Sequence, residues 1–314
     1  MYIEVKMKRR LVLILAVAAI LCSAVYLIFA VDKVSDTPFR RLFQKKLSVQ
    51  IGDYGTAAEL QGKTLCVSLF VDTNYDEWTA DDDKEEWRIK LGYAADWIEQ
   101  MAGEYGVDSE FIYDWNEFPE LRYDVRDKAF SYSRYLENND GYNELWNFIN
   151  NDIPVNEMLS KYKADNILFV TFYNTAESNG LEAFATDGFF DKDYYYDTAF
   201  IPAYFQGRET TASVIAHEML HLFGAADLYC IGRKDTMSYN MNQEMIDYMR
   251  ENYPDDIMLR TFDHETDTPF YGEVNGGISP VTAYYIGLTS EVPEAVSDFG
   301  LDLSTHDANR KSTF

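Results

Sequence analysis

A chain of 314 residues can bury a substantial core in one or two domains. Its aromatic content of 16%, with 24 Tyr and 20 Phe, argues for a packed body over disorder. A formal net charge of −26, with Lys and Arg interleaved among acids, excludes a simple nucleic-acid binder; the acidity reads as solubility and self-repulsion.

Three cysteines do not make a disulfide scaffold. Cys22 lies in an apolar leader. Cys66 and Cys230 are read as unpaired thiols, with pairing in an oxidising compartment as the alternative.

Residues 11–31 form an uncharged apolar run broken only by Ser23 and Tyr26. As a helix rising about 1.5 Å per residue it reaches about 31 Å, the thickness of a hydrocarbon core. Lys6, Lys8, Arg9 and Arg10, in a basic flank over residues 1–10, abut its N-terminal end. An uncleaved signal anchor is the first reading, because the run is long for a cleaved signal and no A-x-A site follows it. Secretion after signal cleavage is the second. The flank places the remainder outside the cytoplasm, with Lys33, Arg40, Arg41, Lys45 and Lys46 nearly balancing the count downstream.

Residues 32–62 read as a juxtamembrane connector, and the folded body is expected over 63–290. It divides into an N-terminal part, 63–224, and a smaller C-terminal part, 225–290, before a polar tail over 291–314. Residues 64–71 (TLCVSLFV) have the pattern of a buried strand. Trp87, Leu91, Ala94, Ala95, Ile98 and Met101 recur at helical spacing within 83–105, and the acidic residues at the start of that helix, Asp81, Asp82 and Asp83, suit its dipole. Residues 107–115 alternate weakly as a second strand, and 142–163 are helical with a break at Pro154. Residues 166–173 (NILFVTFY) make the strongest strand. Residues 194–205 (YYYDTAFIPAYF) make a fourth, placed at a sheet edge by Pro202 and able there to pair with an extended peptide. Helices follow over 243–252 and 280–288, the latter with Ser279 as N-cap and Pro280 in its first turn. Strands alternating with helices predict an α/β layered domain.

Asp72, Asn74 and Asp76 mimic the start of a calcium loop, but Glu77 stands where that loop needs glycine. A strand-to-helix connection is the first reading there and Ca²⁺ the second.

Chemistry concentrates in residues 211–239, TASVIAHEMLHLFGAADLYCIGRKDTMSY. On a helix over 210–224, His217 and His221 lie four apart, project from one face and can chelate one cation. Neutral imidazoles at that spacing suit Zn²⁺, with Glu218 beside them as an acid–base group outside the ligand set. Catalytic zinc takes three protein ligands. Gly224 lets the chain turn back through positive φ, making Asp227 the natural third ligand, with His264 and Glu265 as rivals.

The stretch HEMLHLFGAAD with DTMSY after it resembles the metzincin clan of zinc peptidases, whose signature is H-E-x-x-H-x-x-G-x-x-H and a Met-turn. Asp227 stands where most of the clan has a third histidine, and in this it resembles the snapalysin-like branch. The motif covers about 30 residues, and the rest agrees only in layout. The resemblance implies a metzincin-like zincin of α/β (α+β) class, with a mixed twisted sheet, an active-site helix and a smaller C-terminal helical part. It implies that His217, His221 and Asp227 bind one Zn²⁺ and that Glu218 is general base and proton shuttle. Met237 would form the hydrophobic floor under the metal. Tyr239 would act at the metal or the oxyanion, with plain packing as its alternative.

The expected reaction is hydrolysis of a peptide bond in a protein or peptide substrate, by water that Glu218 activates. A carboxylate in place of an imidazole lowers the net charge at the metal, so a higher pH optimum than that of a three-histidine site is expected. Two other classes stay open: a binding or scaffold protein that has lost turnover, against which the intact Glu218 argues, and a zinc hydrolase of a non-peptide amide.

Overall fold

The computed structural model describes residues 55–57, 60–72, 77–78, 81–126, 140–176, 182–186, 196–205, 207–230, 241–263, 266, 268–269 and 271–299. In chain order these form β1 (Gly62–Asp72), α1 (Asp81–Glu104), β2 (Ser109–Ile112), a 3-10 turn (Pro119–Leu121), β3 (Arg122–Arg126), α2 (Asp140–Asp152) and α3 (Val155–Tyr162). There follow β4 (Asn166–Tyr173), β5 (Phe184–Thr186), β6 (Thr198–Pro202), the pair β7 (Tyr204–Phe205) and β8 (Arg208–Glu209), and α4 (Ala212–His221). The C-terminal elements are α5 (Gln243–Asn252), α6 (Pro280–Tyr285) and α7 (Glu294–Asp298).

The main sheet has the order β2-β1-β4-β6-β5, with β3 also paired to β1. All its pairings are parallel except that of β5 with β6. The class is mixed α/β, as expected. β1 is buried from Thr64 to Val71, and every residue of β4 and β6 is buried. Strands covered on both faces lose the alternation of a half-exposed strand, which is why these segments read as continuous apolar runs.

One edge of β1 is shared: β2 pairs with Gly62–Leu65 and β3 with Ser68–Asp72. β3 has no counterpart in the sequence reading. Of RYDVR only Val125 is buried, so neither an apolar run nor a clean alternation marks it.

The expected edge strand needs correction. β6 pairs with β4 on one side and β5 on the other, and among the described residues the edge belongs to β5. Pro202 is tolerated because it ends β6, where β5 has already stopped: the last β5 pairing is at Phe200, and Pro202 faces only Tyr173 of β4.

The helical stripe of α1 is buried at all six expected positions, Trp87, Leu91, Ala94, Ala95, Ile98 and Met101. α1 packs against α4, and α4 in turn against β5 and β6. At the start of α1, Trp87 joins Phe70, Trp78 and Phe172 in an edge-on and tilted aromatic cluster. The break at Pro154 separates α2 from α3 as expected.

In the C-terminal part the Asn242 side chain caps α5 by accepting from Met245 N at 2.9 Å. Ser279 caps α6, whose first turn holds Pro280. The residues expected to be a polar tail carry α7, which buries Ala295 and Val296.

Cys66 and Cys230 do not form a disulfide, and burial pushes the Cys66 thiol well up. Among the described residues no helix is long and apolar enough to cross a membrane; the run over 11–31 lies outside them.

Candidate metal centre

The centre starts from a helix buried on every side. All ten residues of α4 are buried, including His217, Glu218 and His221. A helix this short in water would be marginal, so packing against α1, β5 and β6 holds it.

Its C-terminal end determines where Asp227 goes. Ala225 N donates to Leu220 O at 3.1 Å and Gly224 N to His221 O at 2.9 Å. With Gly224 at φ 91°, these two bonds form a Schellman turn. The turn reverses the chain so that Asp227 returns over the histidines.

Three atoms converge there. His217 Nε2 and His221 Nε2 lie 3.1 Å apart, and Asp227 Oδ1 is 3.2 Å from each. Ligand atoms about 2.0–2.1 Å from a tetrahedral zinc lie about 3.3 Å from one another. The observed triangle has that size.

The chemistry of the donor set fits a cation as well as the size does. His217 Nδ1 is 2.9 Å from Ile257 O, and His221 Nδ1 is 2.8 Å from Ala225 O. A carbonyl only accepts, so each Nδ1 carries a proton, and a ring bearing that one proton turns the lone pair of Nε2 inward. Asp227 Oδ1 is buried and receives no hydrogen bond. Three acceptor atoms therefore face one point. One proton could serve one pair among them; a divalent cation serves all three.

Burial raises the Asp227 carboxyl, but the positive charge and hydrogen bonds that protonated His221 and His217 would supply outweigh it and hold the group well below the usual carboxylate range. A divalent cation in the same place would supply that charge with both rings neutral. Glu218, only 5% exposed, is pushed up to about 8: burial dominates, His217 opposes it, and the charges of Asp227 and Glu182 add to it. That is a carboxyl poised for proton transfer near neutral pH.

Of the residues read from sequence, His217, Glu218, His221 and Asp227 are brought together. Met237, Tyr239, His264 and Glu265 lie outside the described residues, as do Asn74 and Asp76 of the calcium reading. Among the described residues the one cluster suited to a metal is His217, His221 and Asp227.

Two features were not read from sequence. Tyr229, two residues after Asp227, stands with its ring centroid 6.3 Å from that of His217 and is 47% exposed. Partial burial, then the charges of Asp227 and Glu218, raise its pKa, so it stays a proton donor. Its nearness to Asp227 in the chain was a usable signal. The second feature is the turn at 256–258. Besides the Ile257 carbonyl on His217, the Met258 carbonyl accepts from Leu228 N at 3.0 Å, which holds the segment carrying Asp227. Met258 itself is fully buried. Backbone carbonyls carry no sequence signal.

No known family matches this chain, and neither a curated protein nor a solved structure is similar enough to count as a match.

Proposed function

We propose that this chain is a zinc-dependent endopeptidase of metzincin type, snapalysin-like in its use of aspartate as the third ligand. One observation carries the reading: three acceptor atoms, His217 Nε2, His221 Nε2 and Asp227 Oδ1, converge within 3.2 Å beside the buried carboxyl of Glu218. His217, His221 and Asp227 would hold the ion. When bound, zinc acidifies water and polarises a carbonyl.

The chain's own groups do the rest. The Ile257 and Ala225 carbonyls orient the two imidazoles. Glu218 takes a proton from the attacking water and returns it to the leaving amine. Tyr229, half exposed beside the site, donates its hydroxyl hydrogen to the carbonyl oxygen as that oxygen gains charge, the role the resemblance implied for Tyr239. The substrate backbone docks along β5, the outermost strand on that side of the sheet and in contact with α4. The apolar run over 11–31 tethers this activity outside the cytoplasm.

The test compares the full chain with its Glu218→Ala form for zinc content and for cleavage of an unstructured protein. The expected result is one zinc per chain in both and cleavage only by the unmodified protein. Equal cleavage by the two would sink the mechanism, and zinc without cleavage in either would favour the scaffold reading. Retention of the full chain in alkali-washed membranes checks the tether; release into the soluble fraction would count against an uncleaved anchor.

A further inference from the structure

Asp256 is buried and lies outside the ligand set, yet it is tied to the centre from two sides. Its Oδ1 accepts from Met258 N at 2.7 Å, and its Oδ2 accepts from Ser279 N and from Thr282 Oγ1, both at 2.8 Å. The first bond closes the turn that carries the Ile257 and Met258 carbonyls. The other two fasten that turn to the start of α6. The backbone adds two more ties, Ile257 N to Gly277 O at 3.0 Å and Gly277 N to Asp255 O at 2.8 Å. From the turn so fixed, Ile257 O meets His217 Nδ1 and Met258 O meets Leu228 N, one residue beyond Asp227.

We propose that Asp256 is a positioning residue for the metal centre: its carboxylate locks the turn 256–258 to α6, and thereby aims His217 and holds the Asp227 segment in ligand geometry. This rests on the reading of His217, His221 and Asp227 as a metal site. The residue type follows from the donors. Three donors converge on the side chain from two directions, and a carboxylate is the side chain of that size with acceptors facing both ways. Asparagine keeps the shape but turns an amide N–H toward a donor on one side, which leaves that donor buried and unpaired.

The experiment measures zinc affinity by chelator competition, and the visible absorption of the cobalt(II)-loaded protein as a report on ligand geometry. It compares the full chain with Asp256→Asn and with Asp197→Asn. Asp197 is a control of the same kind, a buried carboxylate that accepts from the backbone donor Ala57 N at 2.5 Å, one residue ahead of β6. Asp256→Asn is expected to weaken zinc about 10–100-fold and to change the cobalt bands. Asp197→Asn is expected to lower thermal stability and leave both readouts in place. Wild-type affinity and bands in Asp256→Asn would overturn the proposal, as would an equal change in Asp197→Asn. Should Asp256→Asn not fold, Thr282→Val removes one of the three donors and keeps the carboxylate; it is expected to weaken zinc several-fold, and an unchanged affinity overturns the proposal. An unmodified chain that binds neither metal overturns the site reading, and this inference with it. An unmodified chain that binds zinc no better than Asp256→Asn overturns this inference alone.

Discussion

Replacing Gly224 by alanine tests the turn that brings Asp227 back over the histidine helix. At φ 91° an L side chain lies in the left-handed region, at a cost of about 1–2 kcal/mol. Alanine also restricts the unfolded chain, which offsets about 0.4–1 kcal/mol of that. The net loss is about 1 kcal/mol, or about 2–4 °C in Tm for a folded body of this size. A second effect is local. The same turn delivers Ala225 O to within 2.8 Å of His221 Nδ1, and Asp227 Oδ1 to within 3.2 Å of both Nε2 atoms. A turn that relaxes toward negative φ loosens both, and zinc affinity is expected to fall about tenfold. Thermal unfolding and chelator competition on Gly224→Ala and Gly224→Asn measure the two effects. Asparagine tolerates the left-handed region and should recover much of each loss. An alanine variant with unchanged Tm and zinc affinity would refute the argument from positive φ. A lowered Tm with unchanged affinity would separate the turn from the site.

In the metal-free protein the Glu218 carboxyl is raised from its ordinary 4.5 to about 8, chiefly by burial, so the fold favours its protonated form. That contribution is fully present below pH 4.5 and is lost as pH rises through 8. The stability of wild type relative to Glu218→Gln should therefore fall across this window, by at most about 1.4 kcal/mol per pH unit. Denaturant unfolding in chelator at several pH values measures the slope, and a flat difference would contradict a raised carboxyl at Glu218. Tyr229→Phe should keep zinc and lower kcat about 100-fold with little change in KM. Turnover at the wild-type rate would return Tyr229 to a packing role.

The parts of the fold that could be read were those in which one segment carries its own signal. β1, β4 and α1 bury enough contiguous or helically spaced apolar surface to be recognised alone. α6 announces itself through Ser279 and Pro280. The elements that escaped are short or take their burial from neighbours. β5 has three residues, β3 buries one side chain, and α7 spans five residues around Ala295 and Val296. Pro202 misled because its position within the strand, and not its presence, decides what it forbids. The site divides in the same way. Its ligand atoms belong to side chains at fixed spacing and were legible. The groups that aim them are carbonyls of Ala225 and Ile257, whose direction exists only once the turns around them have formed.

α4 is buried all round, and this has a bearing on how such a protein can change over time. Each of its ten residues is committed to the core, so a substitution there disturbs packing before it can retune selectivity. Variation that alters what the protein acts on is thereby channelled away from the residues bearing the chemistry. It falls to the segments that meet the site from outside, the strand β5 foremost. Diversity among descendants of this chain should accumulate there and leave the helix nearly unaltered.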